Sequence, residues 1–149
     1  MTPVIFINCK TQPFLDRILS GQKKFETRTR NTLGRFLDHA MGDRVLLAET
    51  GHGRPVIRAV ARINCYVSVY SRLLWNAYFP DTGIDPGSSY DWQPDTKVKW
   101  LYHLTDVKPV APFQLSPDVR RHGRVWAECD LPGNEFPVDM VTSSRYNRK

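Results

Sequence analysis

Val4 to Cys9 form a short β-rich run, after which the hydrophobic period changes. Thr11-Gln12-Pro13 has the composition of a helix start with proline in the first turn, and the pairs Phe14/Ile18 and Leu15/Leu19 stand at i, i+4. Gly21 falls where a left-handed C-cap is needed, so the pattern predicts a short amphipathic helix ending there. Directly afterwards the period drops to two. In Lys24-Phe25-Glu26-Thr27-Arg28-Thr29-Arg30, alternation puts Lys24, Glu26, Arg28 and Arg30 on one side of an extended segment and Phe25 and Thr27 on the other.

Gly42-Asp43 introduces a mostly apolar strand, Arg44 to Glu49, which ends at the glycine-rich turn Gly51-His52-Gly53-Arg54-Pro55. The next strand runs from Val56 to about Val69 and, with Arg58 and Arg62 among its β-branched residues, reads as half buried. Ser71 is placed to N-cap a helix through Leu73, Leu74, Ala77 and Tyr78 that Pro80 stops. Residues 80–96 hold Pro80, Gly83, Pro86, Gly87 and Pro94 together with four aspartates, so no regular element is expected there. Loops of that length inside a domain tend to be functional or disordered. Val98, Trp100, Tyr102 and Leu104 then alternate as a strand, and a last strand is expected from Arg124 to Cys129. Several β segments with two short helices between them predict an α+β domain built as a small, mostly antiparallel barrel or curled sheet with the helices at its rim.

A chain of 149 residues suits one domain with a sizeable core. Residues 4–130 are read as that domain and 131–149 as a polar, basic tail. Cys9, Cys65 and Cys129 lie far apart with no C-x-x-C spacing and read as reduced thiols, which suits the cytoplasm. The start of the chain has no signal-peptide pattern and no run approaches a membrane span, so no membrane association is expected. The net charge of +6 changes the picture once it is located. Arg17, Lys23, Lys24, Arg28, Arg30 and Arg35 stand against Glu26 alone over residues 17–35, whereas residues 81–95 carry Asp81, Asp85, Asp91 and Asp95 with no basic residue. So uneven a distribution points to a positive face for an anionic partner, or else to a merely solvated basic surface.

The most specific pattern is Ile18-Leu19-Ser20-Gly21-Gln22-Lys23-Lys24-Phe25-Glu26-Thr27-Arg28 followed by Gly42-Asp43-Arg44-Val45-Leu46-Leu47. A helix, a glycine cap, a lysine, a Glu-x-Arg strand and a Gly-Asp turn into an apolar strand resemble the ASCH domain family, a branch of the PUA-like barrels. His122-Gly123-Arg124-Val125-Trp126 is similar to the final strand of that fold. The resemblance covers most of residues 4–130 and implies a small PUA-like antiparallel β-barrel, an RNA-related function, and a cleft beside the strand after the first helix. By resemblance Lys23, Glu26, Arg28 and Arg30 line that cleft. A positive groove holding one carboxylate suits phosphate contacts plus one acceptor for a base amino group or sugar hydroxyl. Alternatively, Glu26 and Arg28 pair only to fix strand register.

Some family members are enzymes. One bacterial subgroup hydrolyses the amide of N4-acetylcytidine with a lysine and a threonine three residues apart and a glutamate further on, and ribonuclease activity has been proposed for others. Here Lys23 takes the lysine position, but Glu26 stands where the threonine nucleophile belongs, Thr27 alternates to the opposite face, and no glutamate occurs between Glu49 and Glu128. That departure argues against the amidohydrolase mechanism.

Other chemistries find less support. His39, His52, His103 and His122 lack metal-ligand spacing and the aspartates of residues 81–95 do not follow a calcium-loop pattern, so neither metal nor cofactor is expected. Trp75 and Trp100 fall on patterned segments and read as core. Trp92, with Tyr90, sits in the polar loop, where it either stacks on a base or pins the loop to the barrel. The leading expectation is an RNA- or nucleotide-binding domain whose contacts come from Lys23, Lys24, Glu26, Arg28, Arg30, Arg124 and Trp92. The alternatives are a small hydrolase of a modified nucleoside or of RNA, with Lys23 activating and Glu26 as general base, and a module whose basic surface meets an acidic protein.

Overall fold

The computed structural model describes residues 2–33, 41–122 and 126–129; Arg35, His39, Arg124 and the tail 131–149 lie outside the described residues. In chain order the elements are β1 (Thr2–Asn8), α1 (Phe14–Ser20), β2 (Phe25–Arg28), β3 (Arg44–Thr50), β4 (Val56–Val69), α2 (Arg72–Tyr78) with a 3₁₀ turn at Phe79–Asp81, β5 (Lys99–Gln114), β6 (Arg120–His122) and β7 (Trp126–Cys129). The seven strands form one sheet in the order β2-β5-β4-β3-β1-β7-β6.

The sheet is α+β and strongly curled, as the segment pattern predicts, but two expectations are corrected. Among the described residues it is mostly antiparallel, as expected, but mixed rather than wholly so, because β1 and β3 run parallel with Val4 opposite Leu46 and Asn8 opposite Thr50. The cause is the insertion of α1 and β2 between them: the chain leaves the sheet, crosses, and returns beside β1 in the same direction. Nor does the sheet close into a barrel, since β2 pairs only with β5 and β6 only with β7 among the described residues.

Curvature comes from the long pair β4 and β5, whose ladder shifts register between Ile57 and Ala59, Val60 and Arg62, and Ile63 and Cys65. Each shift bends the strands and increases their twist. One end of the pair therefore carries β3 while the other carries β2. Because the sheet wraps, β1 is covered on both faces. Ile5 and Ile7 join α1, Val45, Leu47 and Leu101 in one core, and Val4 and Phe6 join Leu46, Ala48, Ile57 and Val110 in a second. That is why β1 reads as a continuous apolar run instead of an alternation.

Both helices follow their local signals. In α1, Phe14, Leu15 and Ile18 are buried, and Gly21 takes φ 84° with its N–H on the Ile18 carbonyl. A side chain at Gly21 is strained in that left-handed conformation. In α2, the Ser71 hydroxyl accepts from the Leu74 N–H, and Trp75 is fully buried. Trp100 is half buried and packs against the larger core. No helix among the described residues is long and apolar enough to cross a membrane.

Candidate functional site

The left-handed turn at Gly21 decides where the next residues go. The Lys23 N–H returns to the Arg17 carbonyl at 2.9 Å and turns the Lys23 side chain inward, where it is 1% exposed. Its ammonium lies 4.7 Å from the centre of the Phe14 ring, donates to the Thr82 carbonyl at 2.7 Å and stops 3.9 Å from Glu26 Oε1. Burial lowers its pKa from 10.5 to about 8; Glu26 opposes that shift, and Arg28 and Arg17 add to it.

Residues 81–92 form a strap over α1 instead of a structureless loop. Arg17 donates to the Gly83 carbonyl and pairs with Asp85 at 3.2 Å, and Gln12 accepts from the Asp85 N–H. Lys24 pairs with Asp81 at 3.7 Å, and its backbone N–H bonds the Asp81 carbonyl. Further along, Asp91 collects the Trp75 indole N–H and the backbone N–H groups of Gly87 and Trp92. Burial works against its charge, but those donors hold the Asp91 carboxyl below its ordinary range. Gly83 presses so closely on Lys23 that an added Cβ would meet the Lys23 Cβ at 2.6 Å. Two residues of the basic stretch thus pair with the acidic loop, and Lys23 holds it by a carbonyl: Arg17, Lys23 and Lys24 all serve the strap.

At the seam where the sheet fails to close lies a cleft of about 550 Å³. Glu26, Thr27 and Arg28 of β2 form one side; Phe6 and Asn8 of β1 and Thr50 of β3 form the other. The β1–β7 ladder runs as far as the pair Ile5 and Trp126, and the next β1 carbonyl, that of Phe6, accepts from Arg28 Nη2 at 2.9 Å. The same nitrogen reaches Glu26 Oε2 at 3.3 Å, while Glu26 Oε1 accepts from the Thr27 N–H at 3.0 Å. Arg121 of β6 also lines the cleft, its guanidinium 5.1 Å from the centre of the Phe6 ring. Tyr90, delivered by the strap, completes the wall and stands edge-on against Phe14 at 5.0 Å.

Of the residues picked out in the sequence, Glu26 and Arg28 meet in the cleft, and Lys23 lies directly behind Glu26. Lys24, although in phase with them, turns to Asp81 on the outside, and Arg30 is exposed beyond the end of β2. Trp92 is half buried and packs on Trp75 with ring centres 6.2 Å apart, away from the cleft lining. Arg124 falls outside the described residues. Thr27 borders the cleft together with Glu26, whereas simple alternation places it on the other face. Sequence reasoning missed Phe6, Asn8, Thr50 and Arg121, and passed over Tyr90 in favour of its neighbour Trp92. Only Tyr90 and Arg121 carried any signal, as an aromatic in a polar loop and as part of the basic triplet Arg120-Arg121-His122. Among the described residues no group of three His, Cys, Asp or Glu side chains gathers to hold a metal ion.

No family model and no curated protein matches the chain. Among solved structures, the ASCH protein of Zymomonas mobilis superposes with a TM-score of 0.61 at 23% identity, over 76% of this chain and 73% of that one. A serine-to-alanine variant and a tyrosine-to-phenylalanine variant of the same protein each match with a TM-score of 0.60, also at 23% identity and over 76% of this chain, covering 74% and 76% of theirs. The mixed, curled sheet with two short helices among the described residues is the ASCH fold.

Proposed function

We propose that this chain binds RNA or a nucleotide in the cleft between β2 and β1. The observation that carries the reading is the composition of the seam among the described residues: Arg28 and Arg121 beside one carboxylate, Glu26, with Tyr90 as a half-buried aromatic wall. Guanidinium groups suit phosphate, aromatic rings suit base stacking, and an acceptor in the same space suits a base amino group or a sugar hydroxyl. The volume lies within the range of small-molecule sites. The ASCH fold agrees with an RNA-related role, and three free cysteines suit a reducing compartment such as the cytoplasm.

The test is titration of the protein with a fluorescent single-stranded RNA and with nucleoside monophosphates. Arg121→Ala leaves β2 intact and is expected to weaken binding about tenfold across sequences, because phosphate contacts position a strand without reading it. Unchanged affinity in Arg121→Ala would remove the cleft from the interaction.

One observation favours a second reading, a hydrolase acting on a modified nucleoside or on RNA. Lys23, held near pKa 8, lies against a cleft carboxylate, which is how a proton-transfer pair is built. Its ammonium is bonded to Thr82 and screened from the cleft, so it acts only through Glu26, which would serve as general base. Incubation with an acylated cytidine panel and with short RNA decides between the two. Turnover that falls about 100-fold or more in Glu26→Gln while binding persists establishes the enzyme.

A further inference from the structure

We propose that the cleft selects a guanine base, read by Glu26 and Arg28 acting as one hydrogen-bonding edge; this rests on the nucleotide-binding reading above. Glu26 is 7% exposed, yet among the described residues each of its carboxylate oxygens has one hydrogen-bond donor: the Thr27 N–H on Oε1 at 3.0 Å and Arg28 Nη2 on Oε2 at 3.3 Å. Lys23 stops at 3.9 Å and donates its hydrogen bond to the Thr82 carbonyl. An ionised carboxylate accepts about four hydrogen bonds, so both oxygens keep an acceptor position. A carboxylate this buried calls for more donors than the protein supplies.

Arg28 sets the order of the edge. Its Nη2 is shared between Glu26 and the Phe6 carbonyl, while Nη1 and Nε have no acceptor among the described residues. Beside two acceptor oxygens the site therefore offers a donor, and the edge reads donor, acceptor, acceptor. Guanine presents the complement in the same order: the O6 acceptor, then N1–H, then the 2-amino group. Adenine and cytosine each have one amino group beside a ring-nitrogen acceptor, which fills one carboxylate oxygen and leaves the other empty. Uracil has one N–H flanked by two carbonyls, which the carboxylate repels. Leaving a buried acceptor unfilled is what makes such an edge discriminate. Tyr90, half-buried on the cleft wall, supplies aromatic surface for the base.

The experiment is calorimetric titration of the full chain with the 5′-monophosphates of guanosine, inosine, adenosine, cytidine and uridine. Inosine keeps O6 and N1–H and lacks only the 2-amino group. Guanosine monophosphate is expected to bind tightest, with inosine monophosphate about tenfold weaker, the worth of one charge-assisted hydrogen bond. Glu26→Gln, which replaces one acceptor by a donor, is expected to erase that gap. That substitution also leaves the buried Lys23 without its counter-charge and risks unfolding, so the wild-type comparison of guanosine with inosine carries the decision. Equal affinity for all five, or a preference for cytidine or adenosine, overturns the guanine assignment and leaves nucleotide binding standing. Binding of none, with the single-stranded RNA unbound as well, overturns both.

Discussion

Lys23 is the residue whose chemistry departs furthest from its type. Its folded pKa of about 8 lies below the ordinary 10.5, so the unfolded chain binds the proton more tightly. Below about pH 8 both states are charged, and the full cost of burying the ammonium is present. Between about pH 8 and 10.5 the folded state has lost the proton and the unfolded state has not, so the stability of the fold rises with pH through that window. Lys23→Met removes the titration. Denaturant unfolding of both proteins at pH 7 and pH 10 is expected to show the wild type gaining on the variant by about 2–3 kcal/mol, the scale of the shift. A constant difference would mean that Lys23 is not buried as a cation. The sequence identified Lys23 as important by its place after the glycine cap, but not that it faces inward. Its neighbour Lys24 has the same chemistry and faces the opposite way, and only the turn at Gly21 distinguishes them.

At the scale of elements, the strap is the part that pattern reading could not assemble. Residues 80–96 have no hydrophobic period, and their order comes from polar bonds to residues distant in sequence: Arg17 to Gly83, Lys23 to Thr82, Gln12 to Asp85. Such pairings leave no local signature, whereas α1, α2 and most strands are legible because period, caps and turn glycines act locally. Trp92 shows the consequence. It anchors the strap on Trp75, next to the Asp91 knot, so Trp92→Ala is expected to cost about 1–3 kcal/mol and to lower the melting temperature by several degrees. Nucleotide affinity is expected to stay within about twofold, because the cleft aromatic is Tyr90. A large loss of affinity at unchanged melting temperature would return Trp92 to the binding surface.

For the whole molecule, net charge overstates what is offered to an anionic partner. Of the basic residues described in 17–35, Arg17, Lys23 and Lys24 are engaged with the strap and Arg28 with Glu26 and the Phe6 carbonyl, leaving Arg30 and the distant Arg121 for phosphate. Each single-strand phosphate contact contributes about −0.7 to the slope of log affinity against log salt, so a slope of about −1.4 is expected, against about −4 if all six basic residues of the stretch took part. Fluorescence anisotropy with a labelled RNA between low and moderate salt measures it. A slope near −4 would show that the strap gives up its cations when RNA binds. The curl of the sheet was legible in the spacing of strands and turns. The parallel β1–β3 pair was not, because register between distant strands depends on how the α1–β2 excursion crosses the sheet.

The open seam has a mechanical meaning. A cylinder lacking one row of main-chain bonds is weakest along that line, and here a single guanidinium, Arg28 to the Phe6 carbonyl, spans it. A ligand that touched both margins would act as a clasp between two edges that no main-chain ladder joins among the described residues. Affinity and rigidity then become the same quantity: a ligand at 100 times its dissociation constant adds about 2.7 kcal/mol to the fold.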